Sequence, residues 1–573
     1  MIRIILFFII FMISGTVFSQ KKKKDRIATE EVNVVKPFSP TVSEAYKINI
    51  EPKIDSVDLG GKKEITYSIN SVPVASTFTP AKGKAKSLRR VPKERFYNNF
   101  ISVGYGSYST PLIEIFAHSN SSKYNDFGGF LNYHSSGGGI DGIVLNDDFK
   151  RFEADLYYKQ SERTFDWKVK GGLTHLSNNW YGLSDEISYS ESTINSIDER
   201  QSYTDVFLSG NIEFVDALFH SGNVSVSRFA DKYKSGENHV ALKSVIDFPI
   251  GQELMYSEIS LELLNGKFEN DFFQLDKIDY TYFNIGFSPN FEVLRDNLTV
   301  NIGARLYYSI TNNFEGSKFY IYPNVTASYN ISEEAFIAYA GVIGDLDQNS
   351  YKNFVSENPF VSPTLYIQRT NQQYNAYAGI KGLLNSKIRF NLKAAYINEE
   401  NKALFRLNPS LTDGSNEVTE GYEAGNSFQV VYDDVNTIHF NGEIIFDLFQ
   451  EFKFGGNIDF NSYSLKNQEH AWNLPLVKAT LLAKYTRKKW RAGADLFFST
   501  DRKDELSIIP DTNIRVTNAA YFDINLNGVY TIDDKFDIFV NVNNILSDNY
   551  QVYTNFKVQG LQILGGVKYK FDF

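Results

Sequence analysis

From Tyr97 onward, apolar and polar residues alternate in segment after segment, the period-two pattern of strands with two unlike faces. The last segment, "GLQILGGVKYKFDF" from Gly560 to Phe573, puts Leu561, Ile563, Gly565, Val567, Tyr569, Phe571 and Phe573 on one face, and Gln562, Lys568, Lys570 and Asp572 on the other. "KIRFNLKAAYI" sets Ile388, Phe390, Leu392, Ala394 and Tyr396 against Lys387, Arg389, Asn391 and Lys393, and "YFDINLNGVY" sets Phe522, Ile524, Leu526 and Tyr530 on its apolar side. Strands that want hydrocarbon on one face and water on the other suit a membrane barrel with a polar lumen. Ending on such a strand suits it too, because in a closed barrel the first strand pairs with the last.

The connections alternate as well. "QSERT", "GQE" at Gly251, "LRDN" at Leu294, "ISEE" at Ile331, "LNSK" at Leu384, "FQE" at Phe449, "TRKK" at Thr486 and "IDDK" at Ile532 are tight. Between them lie wide loops: Ser177 to Arg200, Gly344 to Asn371, Asn398 to Asn426, Thr500 to Thr517 and Ser547 to Gln559. Short turns at one end and long loops at the other are the habit of outer-membrane barrels, with the turns in the periplasm. The strand count is about 22 if "FQVVYDDVNTIHFNGEIIFDLF" is one strand and about 23 if it breaks at Asp434; the even number is expected of a bacterial single-chain barrel. The predicted fold is therefore all-β, a transmembrane antiparallel outer-membrane barrel over residues 96–573. A tube that wide is not filled by its own side chains, so something else must block it.

The opening "MIRIILFFIIFMISGTVFSQ" has a cation at Arg3, an apolar run from Ile4, and small residues Val17 and Ser19 before Gln20, which predicts a cleaved signal peptide over 1–19. No later segment offers the roughly 20 apolar residues of a spanning helix. Composition sharpens the class. The chain holds 36 Tyr and 47 Phe, yet its mean hydropathy is only -0.30, a mixture that suits aromatic girdles around a polar interior. A soluble secreted β-protein would have to hide the same faces between sheets. The net charge of -10 argues against nucleic acid as a partner. The absence of cysteine excludes a lipid anchor at the cleavage site, disulfides and thiolate metal sites.

Chemistry has few candidates. His118, His134, His175, His220, His239, His439 and His470 are scattered, with no HExxH pair and no G-x-S-x-G elbow, so no catalytic or metal site and no cofactor is expected. Asp148, Asp345, Asp347, Asp501, Asp504 and Glu505 lie in acidic loop clusters that offer oxygen ligands for calcium or are solvated loop tips. Trp180, Tyr181, Phe272 and Phe273 could stack a glycan or pack a lid, and Trp180 and Tyr181 could equally belong to an interfacial girdle.

"FDIFVNVNNILSDNYQ", Phe536 to Gln551, and the closing strand resemble the last two strands of TonB-dependent receptors. The final strand, with Val567, Tyr569, Phe571 and Phe573, is similar to the signal by which the barrel-assembly machinery recognises its clients. The resemblance implies ligand recognition and uptake across the outer membrane of a Gram-negative envelope, with an extracellular ligand that the loops do not identify. The chain departs from the family over 20–95, which is shorter than the plug domain of such receptors and lacks its glycine-rich strand pattern. This stretch is expected to be a periplasmic segment or a reduced plug. Within it "EEVNVV", Glu30, Glu31, Val32, Asn33, Val34 and Val35, resembles the short strand by which TonB grips its receptors, or is an ordinary extended tail. "VPVASTFTP" could thread the barrel or pack on a partner, and the basic run Lys82 to Arg95 could sit at its mouth or be solvated. The alternative to uptake is a non-transporting scaffold of an envelope complex, its barrel closed by the tail or by a partner.

Overall fold

In the computed structural model, 22 antiparallel strands form one sheet that closes on itself. The structure describes residues 97–573 apart from 123, 216–217, 251–252, 313–315, 333–334, 448 and 510–511; the expected signal peptide, the 20–95 segment and Glu30 to Val35 lie outside them. Closure is made by the strand Gln562–Phe571 lying between Asn99–Gly106 and Phe536–Asn543, with Asn99 opposite Phe571 and Gly106 opposite Leu564. Among the described residues no helix is long and apolar enough to cross a membrane.

The predicted faces are the observed ones. Leu392 is 50% exposed, Phe522 40% and Val567 53%, all pointing away from the lumen, whereas Arg389 turns inward to Asp447 at 2.8 Å and Lys393 lies over the Tyr377 ring. An outer face this apolar is tolerable only against hydrocarbon. Rings pair at the turn end, as in Trp490 with Tyr530 at 4.6 Å, Phe452 with Tyr485 at 4.7 Å and Phe536 with Tyr569 at 4.8 Å, the arrangement of an interfacial girdle.

"FQVVYDDVNTIHFNGEIIFDLF" is one strand through Asp434, Phe428–Phe446. Two expected loops begin too early, however: the one expected from Gly344 starts only after Gln348, because the strand Phe336–Gln348 carries Asp345 and Asp347 past a register shift. The loop expected from Asn398 to Asn426 begins only after Leu407, because the strand Ile388–Leu407 continues through it. A register shift between Glu399 and Lys402, with Asn401 at φ 54°, reverses the alternation there, so a continuous strand looks interrupted in sequence. The loop expected from Thr500 to Thr517 does connect two wall strands, and it folds into a hairpin of Arg502–Ile508 and Thr512–Asn518 that forms its own sheet rather than part of the wall. A smaller one, Gln551–Tyr553 with Phe556–Lys557, occupies the loop from Ser547 to Gln559.

Candidate functional site

A spanning strand needs about 9–11 residues. Ile388–Leu407 and Phe428–Phe446 have 20 and 19, so their far halves stand beyond the hydrocarbon and become part of a packed layer of loops. The layer is seeded by strand-end residues that continue the inward face. Val206 and Leu208 point outward, so Tyr203 points in and is buried, as are Phe229, Phe268, Tyr280 and Tyr282 on neighbouring strands. These rings receive the short helix Tyr351–Glu357, started by Ser350, whose hydroxyl accepts from the Asn353 N–H at 3.1 Å. Tyr351 sits 4.9 Å from the Phe268 ring and 5.2 Å from that of Phe229, and donates its hydroxyl to Asp231 at 2.8 Å. The buried Glu237 carboxylate accepts from the Tyr351 and Lys352 N–H groups and the Tyr280 hydroxyl, each at 2.9 Å. Lys352 Nζ reaches Asp205 at 2.7 Å.

Beyond the helix, the Ser362 N–H donates to the Phe428 carbonyl at 2.9 Å, and Phe360 stacks on Phe556 at 3.7 Å. Gly414, at φ +94°, turns its carbonyl to both the Ser190 N–H and the Thr193 hydroxyl at 2.8 Å, tying the 408–427 loop to the short helix Glu191–Ser196. Asp504 ties the hairpin down: it accepts from the Leu407 N–H at 3.0 Å, Asn473 at 2.8 Å and Thr554 at 2.6 Å. Burial pushes its carboxyl above the usual range, against these hydrogen bonds, which favour the charged form.

The sequence candidates separate on this frame. Trp180 and Tyr181 belong to no girdle and offer no open stacking face: Trp180 is fully buried 5.6 Å from the Tyr233 and Tyr422 rings, and Tyr181 packs on Phe556 and donates to the Lys557 carbonyl. Position in the chain says nothing of this, because the rings that cover them come from distant segments, Tyr422 and Phe556 among them. The acidic residues do not converge. Asp148 is taken by Arg200 at 2.7 Å, Asp345 by Arg305 at 2.7 Å and Asp501 by Lys503 at 3.2 Å. Among the described residues no group of three metal-ligating side chains forms. The histidines are likewise dispersed, His118 to Asp126, His239 to Glu262 and His175 to Thr204.

What the loop layer does present is a cleft of about 380 Å3, within the span of small-ligand sites, between the 269–277 loop, the segment 364–366 and the strand ends at Arg406 and Gln429. Phe272 lines it from beside Tyr422, while Phe273 and Tyr366 are 54% and 50% exposed. Of the four sequence candidates, only Phe272 and Phe273 are placed to meet a ligand. Tyr366 and Arg406 carry no motif that sequence analysis could have found. A larger hollow, about 710 Å3, lies on the outward face among Ala327, Ala340, Ala378 and Ala394, with little polar surface to orient a ligand.

No family model matches the chain, and no curated protein does. Among solved structures it resembles the pyoverdine outer membrane receptor FpvA of Pseudomonas aeruginosa bound to pyoverdine, with a TM-score of 0.60 at 13% identity, covering 83% of this chain and 78% of that one. It resembles the FrpB iron transporter of Neisseria meningitidis with a TM-score of 0.62 at 9% identity, covering 84% and 83%. The copper transporter OprC gives a TM-score of 0.59 at 12% identity, covering 83% and 81%. At these identities the likeness is one of fold: the chain has the 22-strand barrel of the TonB-dependent outer-membrane receptors.

Proposed function

We propose that this chain is an outer-membrane receptor barrel that captures a small ligand at its long-loop, extracellular end and passes it along the lumen. The cleft on the packed loop layer supports this reading most, because loops braced by a buried core hold recognition groups in place. The solved structures it resembles are those of receptors and transporters, which favours transport over catalysis. The apolar outer face and the girdle suit a location in outer-membrane lipid.

In this reading the 20–95 segment blocks the lumen and Glu30 to Val35 is the strand that TonB grips. The mature protein in a planar bilayer is expected to be silent, and a version lacking Gln20 to Arg95 to conduct steadily. Equal conductance of the two would assign the blockage elsewhere. Deleting Glu30 to Val35 alone is expected to abolish TonB pull-down; retention of TonB would remove the energised-receptor reading.

A second reading, a non-transporting scaffold whose periplasmic segment docks other envelope proteins, is favoured by the loop layer itself. The helix Tyr351–Glu357 is pinned at the mouth by buried rings and by Glu237, as a permanent closure would be. Silence of both the mature and the shortened protein, with loss of co-purifying envelope proteins from the latter, would favour the scaffold.

A further inference from the structure

The arginines of the loop layer are almost all consumed by the fold. Arg200 pairs with Asp148, Arg515 with Glu469, Arg369 lies over the Tyr282 ring and donates to Ser309, and Arg502 donates to the carbonyls of Gln551 and Val552. Arg406 differs. It is half-buried in the wall of the 380 Å3 cleft, and among the described residues its side chain has no hydrogen bond, ion pair or ring contact. A guanidinium withdrawn from bulk water without a partner is costly, and its planar fork matches a carboxylate in two parallel hydrogen bonds. The other charged group in the lining, Asp271, is occupied in shaping its own turn: its carboxylate accepts from the Leu275 N–H at 2.7 Å. Around the same space stand Phe272, Phe273 and Tyr366, two of them about half exposed, so that aromatic surface is open to a flat ligand.

We propose that this cleft is the recognition site and that it takes an organic anion built on a flat ring, with the carboxylate on Arg406 and the ring among Phe272, Phe273 and Tyr366. This deepens the receptor reading and rests on it. The ring supplies apolar burial and the carboxylate supplies orientation, so neither a simple inorganic anion nor a neutral aromatic satisfies both halves of the site.

The test uses the full chain in lipid nanodiscs with benzoate as the probe, acetate and benzyl alcohol as half-ligands, and saturation-transfer NMR as the readout. Benzoate is expected to bind, and Arg406→Gln to weaken it by about tenfold or more, the usual size of a lost charge-assisted pair. Arg406→Lys, which keeps the charge but not the fork, should fall between the two, and Phe273→Ala should weaken benzoate without affecting acetate. Equal benzoate binding by the parent protein and Arg406→Gln, or none by either, overturns the proposal. Variants are compared only where unboiled gel mobility shows an intact barrel; if Arg406→Gln is not intact, Arg406→Lys decides, with unchanged binding overturning the site. Failure of the receptor reading looks different: Arg406-dependent benzoate binding in a barrel that neither conducts after loss of 20–95 nor engages TonB keeps the site and removes uptake.

Discussion

Deleting Gln562–Phe573 is expected to abolish the barrel altogether, so that the truncated chain loses the fast unboiled mobility of a folded barrel and runs at one position whether boiled or not. The strand carries eight register pairs to Asn99–Gly106 and eight to Phe536–Asn543. Without it both neighbours become open edges in hydrocarbon, where no water satisfies their N–H and C=O groups and each orphan costs several kcal/mol, on the order of 2–7. No nearby segment can substitute, since the strand must offer an apolar face outward and Lys568 and Lys570 inward at the same register. Folded mobility in the truncated protein would disprove the closure. Removing Phe573 alone separates structure from signal. It lies beyond the paired strand, 83% exposed and touching the Phe571 ring at 5.4 Å, so refolding of the purified chain into detergent should be unaffected. If Val567, Tyr569, Phe571 and Phe573 form the insertion signal, assembly in cells should fall nonetheless.

The second large effect is expected at Glu237. Its carboxylate holds two N–H groups at the start of the helix Tyr351–Glu357 and the Tyr280 hydroxyl in a buried setting. Glu237→Ala orphans all three, at about 1–3 kcal/mol each. Lifting the helix into water relieves the two backbone groups but gives up the burial of Tyr351, Phe354 and Val355. Either way the docked state weakens by about 3 kcal/mol, and amide exchange over 351–357 should accelerate by about a hundredfold. The 22-strand ladder is untouched, so unboiled mobility should not change. Glu237→Gln keeps one acceptor oxygen and should give a smaller effect. Unchanged exchange in Glu237→Ala would mean that the aromatic packing alone secures the helix. A rise in conductance alongside faster exchange would identify this helix as part of the closure of the mouth.

Much of this molecule was readable one residue at a time. Side-chain alternation is a property of neighbours in the chain, so the strands, their outward faces, the turn-and-loop asymmetry and the closing strand ending near Phe573 all follow from local pattern. The resemblance of the last two strands pointed to the receptor fold that the solved structures share. Local pattern failed where phase was lost. The strand Ile388–Leu407 passes a bulge at Asn401, where one extra residue turns the alternation over and makes strand look like loop. The hairpin around Asp504 lies where a wide loop is expected, but its strands are held by partners far along the chain, which local pattern does not show.

The loop layer was beyond the sequence for a different reason, because its contacts join residues far apart in the chain. Trp180 is a candidate girdle residue until Tyr422 covers it, Asp504 a candidate calcium ligand until Leu407, Asn473 and Thr554 fill its oxygens, and Arg406 one charge among many until its neighbours pair elsewhere. Which polar groups are spent on the fold and which remain for a ligand depends on long-range partners, and only the tertiary structure assigns those.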